Sequence, residues 1–308
     1  MHIEQELANI HVEGETLLTV GVFDGIHLGH QYLLRTLIQQ AKQKSLTSGV
    51  VTFNPHPQSI LHPQEQAPWI ITMEDRIKLL QQMNVKIIAV LSFTHKLAEL
   101  SAKEFVHMLQ QRLKMRGLIV GPNSSLGRKR EGNAELLHSL GNQMGFTVDT
   151  VSPFTIDGKT VSSTAIRQSL SQGDVATVKK LMGHAFTVNG KVVSAKKRGY
   201  KLGFPTANLD VAPNRALPCN GVYATISHVD GKQFASATNI GTQPTFGDGQ
   251  IQMETHLVGY KGNLLGKSLE VTFVQKLRDE KQFASPQELQ VQIMKDIEQV
   301  KIVERRKA

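Results

Sequence analysis

The chain has 308 residues, is 40% hydrophobic and 20% charged, and carries a formal net charge of +9. That length favours two cores over one, and that composition excludes a disordered chain. The single Cys219 excludes an intramolecular disulfide and a cysteine-built zinc site, and no run of about eighteen apolar residues offers a membrane span.

In chain order, Leu17-Leu18-Thr19-Val20-Gly21-Val22-Phe23 reads as a buried strand ending in the turn Asp24-Gly25. Leu33, Leu34, Leu37, Ile38 and Ala41 then follow helical spacing, which predicts a helix over 28–44. Strands are expected at 49–53, 86–91, 117–121 and about 146–151, with helices over 73–83, 101–114 and 134–144 between them. Strand and helix in alternation predict an α/β fold, with a parallel sheet wrapped by helices. In such sheets ligands sit beyond the carboxyl ends of the strands.

After a helix expected over 163–181 the pattern changes. Short strands at 186–194, 221–228, 234–240, 253–258 and 269–273 are separated by Gly, Pro, Asn and Asp, and a closing helix is expected over 286–303. That spacing predicts a small antiparallel β-barrel. The boundary is placed near Gly183-His184, giving domains 1–183 and 184–308.

The opening Met1-His2-Ile3-Glu4-Gln5-Glu6 has neither a basic nor an apolar leader region, so a cytoplasmic setting is expected. The basic excess is +3 through Gly183 and +6 beyond it, partly in Arg305-Arg306-Lys307. With 6% aromatics there are few stacking platforms for unpaired bases, so neither nucleic acid nor a membrane is expected as partner. Cys219, after Pro218 in a turn, reads as structural. The oligomeric state leaves no mark in the sequence.

The turn from the first strand to the first helix, Gly21-Val22-Phe23-Asp24-Gly25-Ile26-His27-Leu28-Gly29-His30, has the chemistry of an anion site. A helix N-terminus offers unpaired N–H groups and the positive end of a dipole. Gly25 and Gly29 let backbone approach a ligand, and His27 and His30 can point at one bound anion. From the residues alone, two histidines at this spacing also fit a partial metal site or simple capping.

Further along, Arg198-Gly199-Tyr200-Lys201-Leu202-Gly203-Phe204-Pro205-Thr206-Ala207-Asn208 combines mobile glycines with cations, a composition able to fold over a polyphosphate or to form a surface turn. Thr206 and Asn208 offer oxygen ligands suited to Mg²⁺. Gly262-Asn263-Leu264-Leu265-Gly266-Lys267-Ser268 is no P-loop: only three residues separate its glycines, and a strand follows it, not a helix.

These blocks carry a resemblance. Gly21 to His30 is similar to Gly-x-Phe-Asp-Gly-x-His-x-Gly-His, the signature of the bacterial bifunctional riboflavin kinase/FAD synthetase family. Phe53-Asn54-Pro55-His56-Pro57, Gly121-Pro122-Asn123, Ser162-Ser163-Thr164-Ala165-Ile166-Arg167, Gly203-Phe204-Pro205-Thr206-Ala207-Asn208 and Asn239-Ile240-Gly241-Thr242-Gln243-Pro244-Thr245-Phe246 resemble further family blocks, in family order.

The resemblance implies an ATP-dependent transferase that phosphorylates riboflavin to FMN and adenylylates FMN to FAD, with Mg²⁺ assisting. In front it assigns Gly21, Phe23, Asp24, Gly25, His27, Gly29 and His30 to ATP phosphates. Ser163, Thr164 and Arg167 go to the departing pyrophosphate, where a plain helix cap would also explain the serine and threonine. Asn54, His56 and Asn123 go to the flavin nucleotide. Behind, it assigns Lys201 and Gly203 to ATP, Thr206 and Asn208 to the metal, and Glu254 to the general base.

Two stretches depart from the family. Ser124 and Leu126 replace two aromatics expected beside the flavin, which raises the alternative of a kinase with a weakened adenylyltransferase. Gly259, Asn263 and Leu265 replace acidic or aromatic residues after Glu254. A reading of another class, a non-enzymatic flavin- or RNA-binding regulator, rests on the basic surface.

Overall fold

The computed structural model describes residues 3–65, 67–194, 203–212, 214–242 and 251–305. By its contacts the chain forms two compact units, Met1–Ser163 and Thr164–Ala308.

In the first unit the described elements run α1 (Ile3–Ala8), β1 (Thr16–Val20), α2 (Leu28–Gln43), β2 (Thr47–Asn54), α3 (Pro57–Leu61), α4 (Met73–Gln82), β3 (Ile87–Ser92), α5 (His95–Ala98), α6 (Ala102–Leu113), β4 (Met115–Val120), α7 (Ala134–Met144) and β5 (Thr147–Thr150). A two-strand hairpin, β6 (Thr155–Ile156) and β7 (Lys159–Thr160), follows. The sheet order is β3-β2-β1-β4-β5, with every neighbouring pair parallel. All five residues of β1 are buried, as a central strand covered on both faces requires.

The local causes are those in the sequence. α2 buries Leu33, Leu34, Leu37 and Ala41. α6 opens on a capping box in which the Ser101 hydroxyl and the Glu104 carboxylate satisfy each other's backbone N–H groups. The chain steps outward from β1 through β2 to β3, then crosses to β4 on the other side. The carboxyl end of β1 is therefore the point where connections part to either flank, the usual ligand position in an open α/β sheet.

The second unit carries α8 (Ser163–Ser171), which starts at the border, α9 (Val175–Met182), β8 (Thr187–Val193), β9 (Ala207–Asp210), β10 (Gly221–Val229), β11 (Lys232–Thr242), β12 (Ile251–Leu257), β13 (Ser268–Arg278) and α10 (Pro286–Arg305). The single helix expected over 163–181 is two, because Gly173 takes φ +73° and Asp174 caps α9 by accepting from the Thr177 N–H at 2.9 Å. The expected boundary at Gly183-His184 falls between α9 and β8, whereas contacts divide the chain at Ser163/Thr164, since α9 packs on β13.

The strands close into a barrel in the order β10-β11-β12-β9-β8-β13. Phe186, Tyr223 and Phe273 fill one part of the core, with Phe273 between the other two rings. Elsewhere five buried hydroxyls form a chain from Ser227 through Ser236, Thr225 and Thr238 to Thr255, with links of 2.7–3.0 Å. Every hydroxyl of the row has at least one hydrogen-bond partner, so a polar row is satisfied inside an apolar barrel. α10 docks through Val300 against Ala224 and Ala235 and through Asp296, which takes Nε and Nη2 of Arg278 at 2.8–3.1 Å. Among the described residues no helix is long and apolar enough to cross a membrane.

Candidate active sites

The turn after β1 holds backbone that its own residues disfavour. Phe23 has φ +53° and Ile26 φ +39°, and for such side chains positive φ costs about 1–3 kcal/mol each. Neighbours fix it from several directions. The Thr52 hydroxyl donates to the Val22 carbonyl at 3.1 Å, Gln31 Nε2 to the Ile26 carbonyl at 2.9 Å, and the Ser163 hydroxyl to the Asp24 carbonyl at 2.9 Å. The Asp24 carboxylate, 2% exposed, accepts from the Ile70 N–H at 3.0 and 3.1 Å and from the Ile71 N–H at 3.2 Å. Asp24 thus latches the 70–71 segment onto the turn.

The expectation that Gly25 and Gly29 open the backbone to a ligand needs correction on the side a Cβ would take. At Gly25 that space holds the Ile70 side chain at 3.2 Å, and at Gly29 the His27 ring at 3.1 Å. At Gly21 it holds the Phe23 ring at 3.1 Å. These glycines make room for the parts of the turn itself.

His27, 5% exposed, is the N-cap of α2, and its Nδ1 accepts from the His30 N–H at 3.2 Å, so its proton sits on Nε2. The two imidazoles are stacked, with centroids 3.7 Å apart and planes 14° from parallel, and Phe23 meets His30 edge-on at 5.2 Å. Burial pushes the His27 pKa down to about 4. It holds His30 well below the ordinary range, assisted by repulsion from His27 and Arg76. Both rings are neutral at pH 7 and would meet an anion as N–H donors. His30 Nδ1 is buried and has no hydrogen-bond partner among the described residues.

Sequence reasoning missed Arg76. It lies in α4, fully buried, and its Nη1 donates to Thr52 Oγ1 at 3.3 Å and to the Phe53 carbonyl at 3.4 Å. Its Cζ stands 4.6 Å from the ring centroid of Trp69. Burial lowers its pKa to about 10, against the attraction of Asp24, so it stays charged at neutral pH. Thr72 caps α4 and Glu74 and Asp75 follow, so Arg76 reads in sequence as one more charge on a solvated helix face. The only usable signal was Trp69, the sole tryptophan in the chain.

Of the expected flavin residues, His56 caps α3 by accepting from the Gln58 N–H at 3.0 Å and faces Trp69 edge-on at 5.0 Å. Asn54 is exposed at the end of β2, and Asn123 is exposed in the loop after β4. Leu126, in the same loop, is 7% exposed and belongs to the buried cluster that also includes Ala102 and Phe105. Ser124 accepts from the Gly121 N–H at 2.9 Å and so closes the turn. Thr164 is exposed and Arg167 half-buried, one turn apart in α8.

In the barrel, Glu254 on β12 stands in register between Asn208 of β9 and Asn239 of β11. Its neighbours Met253 and Thr255 are buried, so the carboxylate and both amides lie on the outer face. The Pro205-Thr206 turn is tied over β12: His256 Nδ1 lies 2.8 Å from the Pro205 carbonyl, and Phe204 meets the His256 ring at 5.7 Å. Thr206 and Gly203 are exposed. Lys201 and the loop from Gln243 to Phe246 lie outside the described residues. Tyr260 and Asn263, in the stretch that departs from the family, line a cavity of about 460 Å³ with Lys232, Lys261 and Lys267.

A stacked histidine pair at the switch point of a parallel sheet, and a strand carboxylate between two asparagines on a small barrel, define a two-domain nucleotide-dependent transferase. Residues 9–165 match the FAD synthetase family and residues 182–303 the riboflavin kinase family. The bifunctional riboflavin kinase/FMN adenylyltransferase of Buchnera aphidicola (subsp. Schizaphis graminum) is 35% identical over 94% of both chains. That of Escherichia coli K12 is 33% identical over 91% of this chain and 90% of its own. A crystal structure described as a macrolide-efflux protein from Streptococcus pneumoniae superposes with a TM-score of 0.88 at 27% identity, over 96% of each chain. The chain belongs to the bifunctional riboflavin kinase/FMN adenylyltransferase family.

Proposed function

We propose that the chain converts riboflavin to FMN on its barrel and FMN to FAD on its parallel-sheet unit, with ATP as phosphoryl and then adenylyl donor. The functional halves are taken as 1–183 and 184–308. The observation that carries the reading is that each family match has its own cluster: paired histidines at a helix N-terminus in the first, a carboxylate in register between two asparagines in the second.

In the kinase step Glu254 accepts the proton of the riboflavin 5′-hydroxyl as its oxygen bonds to the γ-phosphorus and ADP leaves. Asn208 and Asn239, in register on either side, orient that carboxylate. In the adenylyl step an FMN phosphate oxygen attacks the α-phosphorus of ATP, and the bond to pyrophosphate breaks. An ionised phosphate has no proton to lose, so this step needs no general base. The protein's task is positioning and charge stabilisation.

His27 and His30 serve that task as neutral N–H donors beside the N-terminus of α2, and Ser163, Thr164 and Arg167 hold the departing pyrophosphate. Asn54, His56 and Asn123 are assigned to the flavin nucleotide, and Lys201 and Gly203 to ATP on the barrel. Thr206 and Asn208 supply hydroxyl and amide oxygens, a donor set that fits Mg²⁺ beside phosphate. Bound there, Mg²⁺ would offset phosphate charge. The setting is cytoplasmic, and the partners are riboflavin, FMN and ATP, without nucleic acid or membrane.

Activity at both sites is favoured over a weakened adenylyltransferase because both family matches are present and the Ser124 hydroxyl has a place in the turn. Incubating the purified chain with riboflavin, ATP and Mg²⁺ and separating the flavins tests the proposal. FMN followed by FAD is expected, whereas unchanged riboflavin together with unchanged supplied FMN would refute it.

A further inference from the structure

Arg76 is a buried cation whose hydrogen bonds are incomplete. Only Nη1 is engaged, through two contacts of 3.3 and 3.4 Å, both at the long end for such bonds. Nε and Nη2 are buried without a hydrogen-bond partner among the described residues. Leaving a charged donor buried and unpaired is costly, and a folded protein tolerates it where a ligand completes the set. Asp24 supplies attraction, but its carboxylate is occupied by the Ile70 and Ile71 N–H groups. An anion from outside the chain would complete the set.

The surroundings identify that anion. Arg76 is tied through Thr52 to the Val22 carbonyl in the turn that carries the histidines. Its charge reaches His30, whose Nδ1 is likewise buried without a hydrogen-bond partner among the described residues. What covers the guanidinium is the half-buried indole of Trp69, at 4.6 Å. Trp69 immediately precedes Ile70, where the Asp24 latch begins, so the cover is attached to the same turn that receives the nucleotide.

We propose that Arg76 is a further catalytic residue of adenylyl transfer: phosphoryl oxygens of ATP take its free Nε and Nη2, and Trp69 moves off the guanidinium to admit them. This rests on the adenylyltransferase reading given above. As the FMN oxygen bonds to the α-phosphorus and the bond to pyrophosphate breaks, negative charge shifts onto the leaving pyrophosphate. A guanidinium fork holds two such oxygens at once, which a lysine ammonium does not.

The test uses the full chain with FMN, ATP and Mg²⁺, comparing wild type with Arg76→Lys and Arg76→Gln. Both variants are expected to lose about a hundredfold in kcat for FAD formation, with a smaller rise in the KM for ATP. Riboflavin phosphorylation by the same samples stays within twofold. Arg76→Gln forming FAD within threefold of wild type would overturn the inference and leave the adenylyltransferase reading intact. A wild-type chain forming no FAD from FMN would overturn both. Should the variants fail to fold, wild type decides alone, because Trp69 is its sole tryptophan. Its emission is expected to change on adding inorganic pyrophosphate with Mg²⁺. Emission that stays constant at pyrophosphate concentrations that inhibit FAD formation would overturn the inference.

Discussion

His27 and His30 lie face to face, 3.7 Å between ring centroids, with the Nδ1 of the first accepting the backbone N–H of the second. The cap fixes one ring, the stack fixes the other, and burial keeps both neutral. A neutral pair leaves the pocket without histidine charge before the nucleotide arrives, so the fixed positive potential there comes from Arg76 and the N-terminus of α2.

This neutrality has a pH signature. His27 has an ordinary pKa of 6.5 when unfolded and about 4 when folded, so between these values the unfolded chain binds more protons. The stability contributed by the neutral ring is full above about pH 6.5 and is lost as pH falls toward 4, by at most about 3 kcal/mol. Imidazole proton resonances of both histidines should stay unshifted from pH 8 to 5.5. A midpoint near 6.5 for either ring would contradict the buried stack.

The Asp24 latch should matter more for the first unit than for the second. Asp24→Ala leaves the Ile70 and Ile71 N–H groups buried without their acceptor, which costs about 3 kcal/mol. Denaturant unfolding followed by Trp69 emission is expected to show that loss, with FAD formation falling and riboflavin phosphorylation unaffected at 25 °C. A change below about 0.5 kcal/mol would mean that the turn holds its shape without the carboxylate.

Thr225 is the hub of the barrel's hydroxyl chain, bonded to both Ser236 and Thr238. Thr225→Val keeps the shape and removes the hub, so Ser236 keeps only Ser227 and Thr238 only Thr255 as hydroxyl partners, at a cost of about 1 kcal/mol. A lower barrel melting temperature, with kinase turnover retained below it, is the expected result. An unchanged melting temperature would show that the chain of hydroxyls closes without Thr225.

Most of the architecture was legible because local signals agreed with one another. The 3.6-residue spacing of Leu33, Leu34, Leu37 and Ala41 gave α2 its buried face, and Ser101 gave α6 its start. The histidine motif announced its place at the end of β1, since strand, turn and helix follow in that order. What stayed hidden depends on contacts distant in sequence. Nothing near Arg76 tells that Thr52 and Trp69 enclose it, and nothing near Leu126 tells that it is buried. The break at Gly173 was readable, because Gly-Asp is a stop followed by a cap, but continuous apolar spacing on either side masked it.

Two chemistries on two separate clusters are the centre of the account, and Glu254→Gln tests them most directly. The variant would be given riboflavin in one reaction and FMN in another, each with ATP and Mg²⁺, and the flavins separated. The expected outcome is phosphorylation of riboflavin slowed by about a hundredfold or more, with FMN still converted to FAD at the wild-type rate. Riboflavin phosphorylated at the wild-type rate, or FAD formation lost along with it, would contradict the assignment.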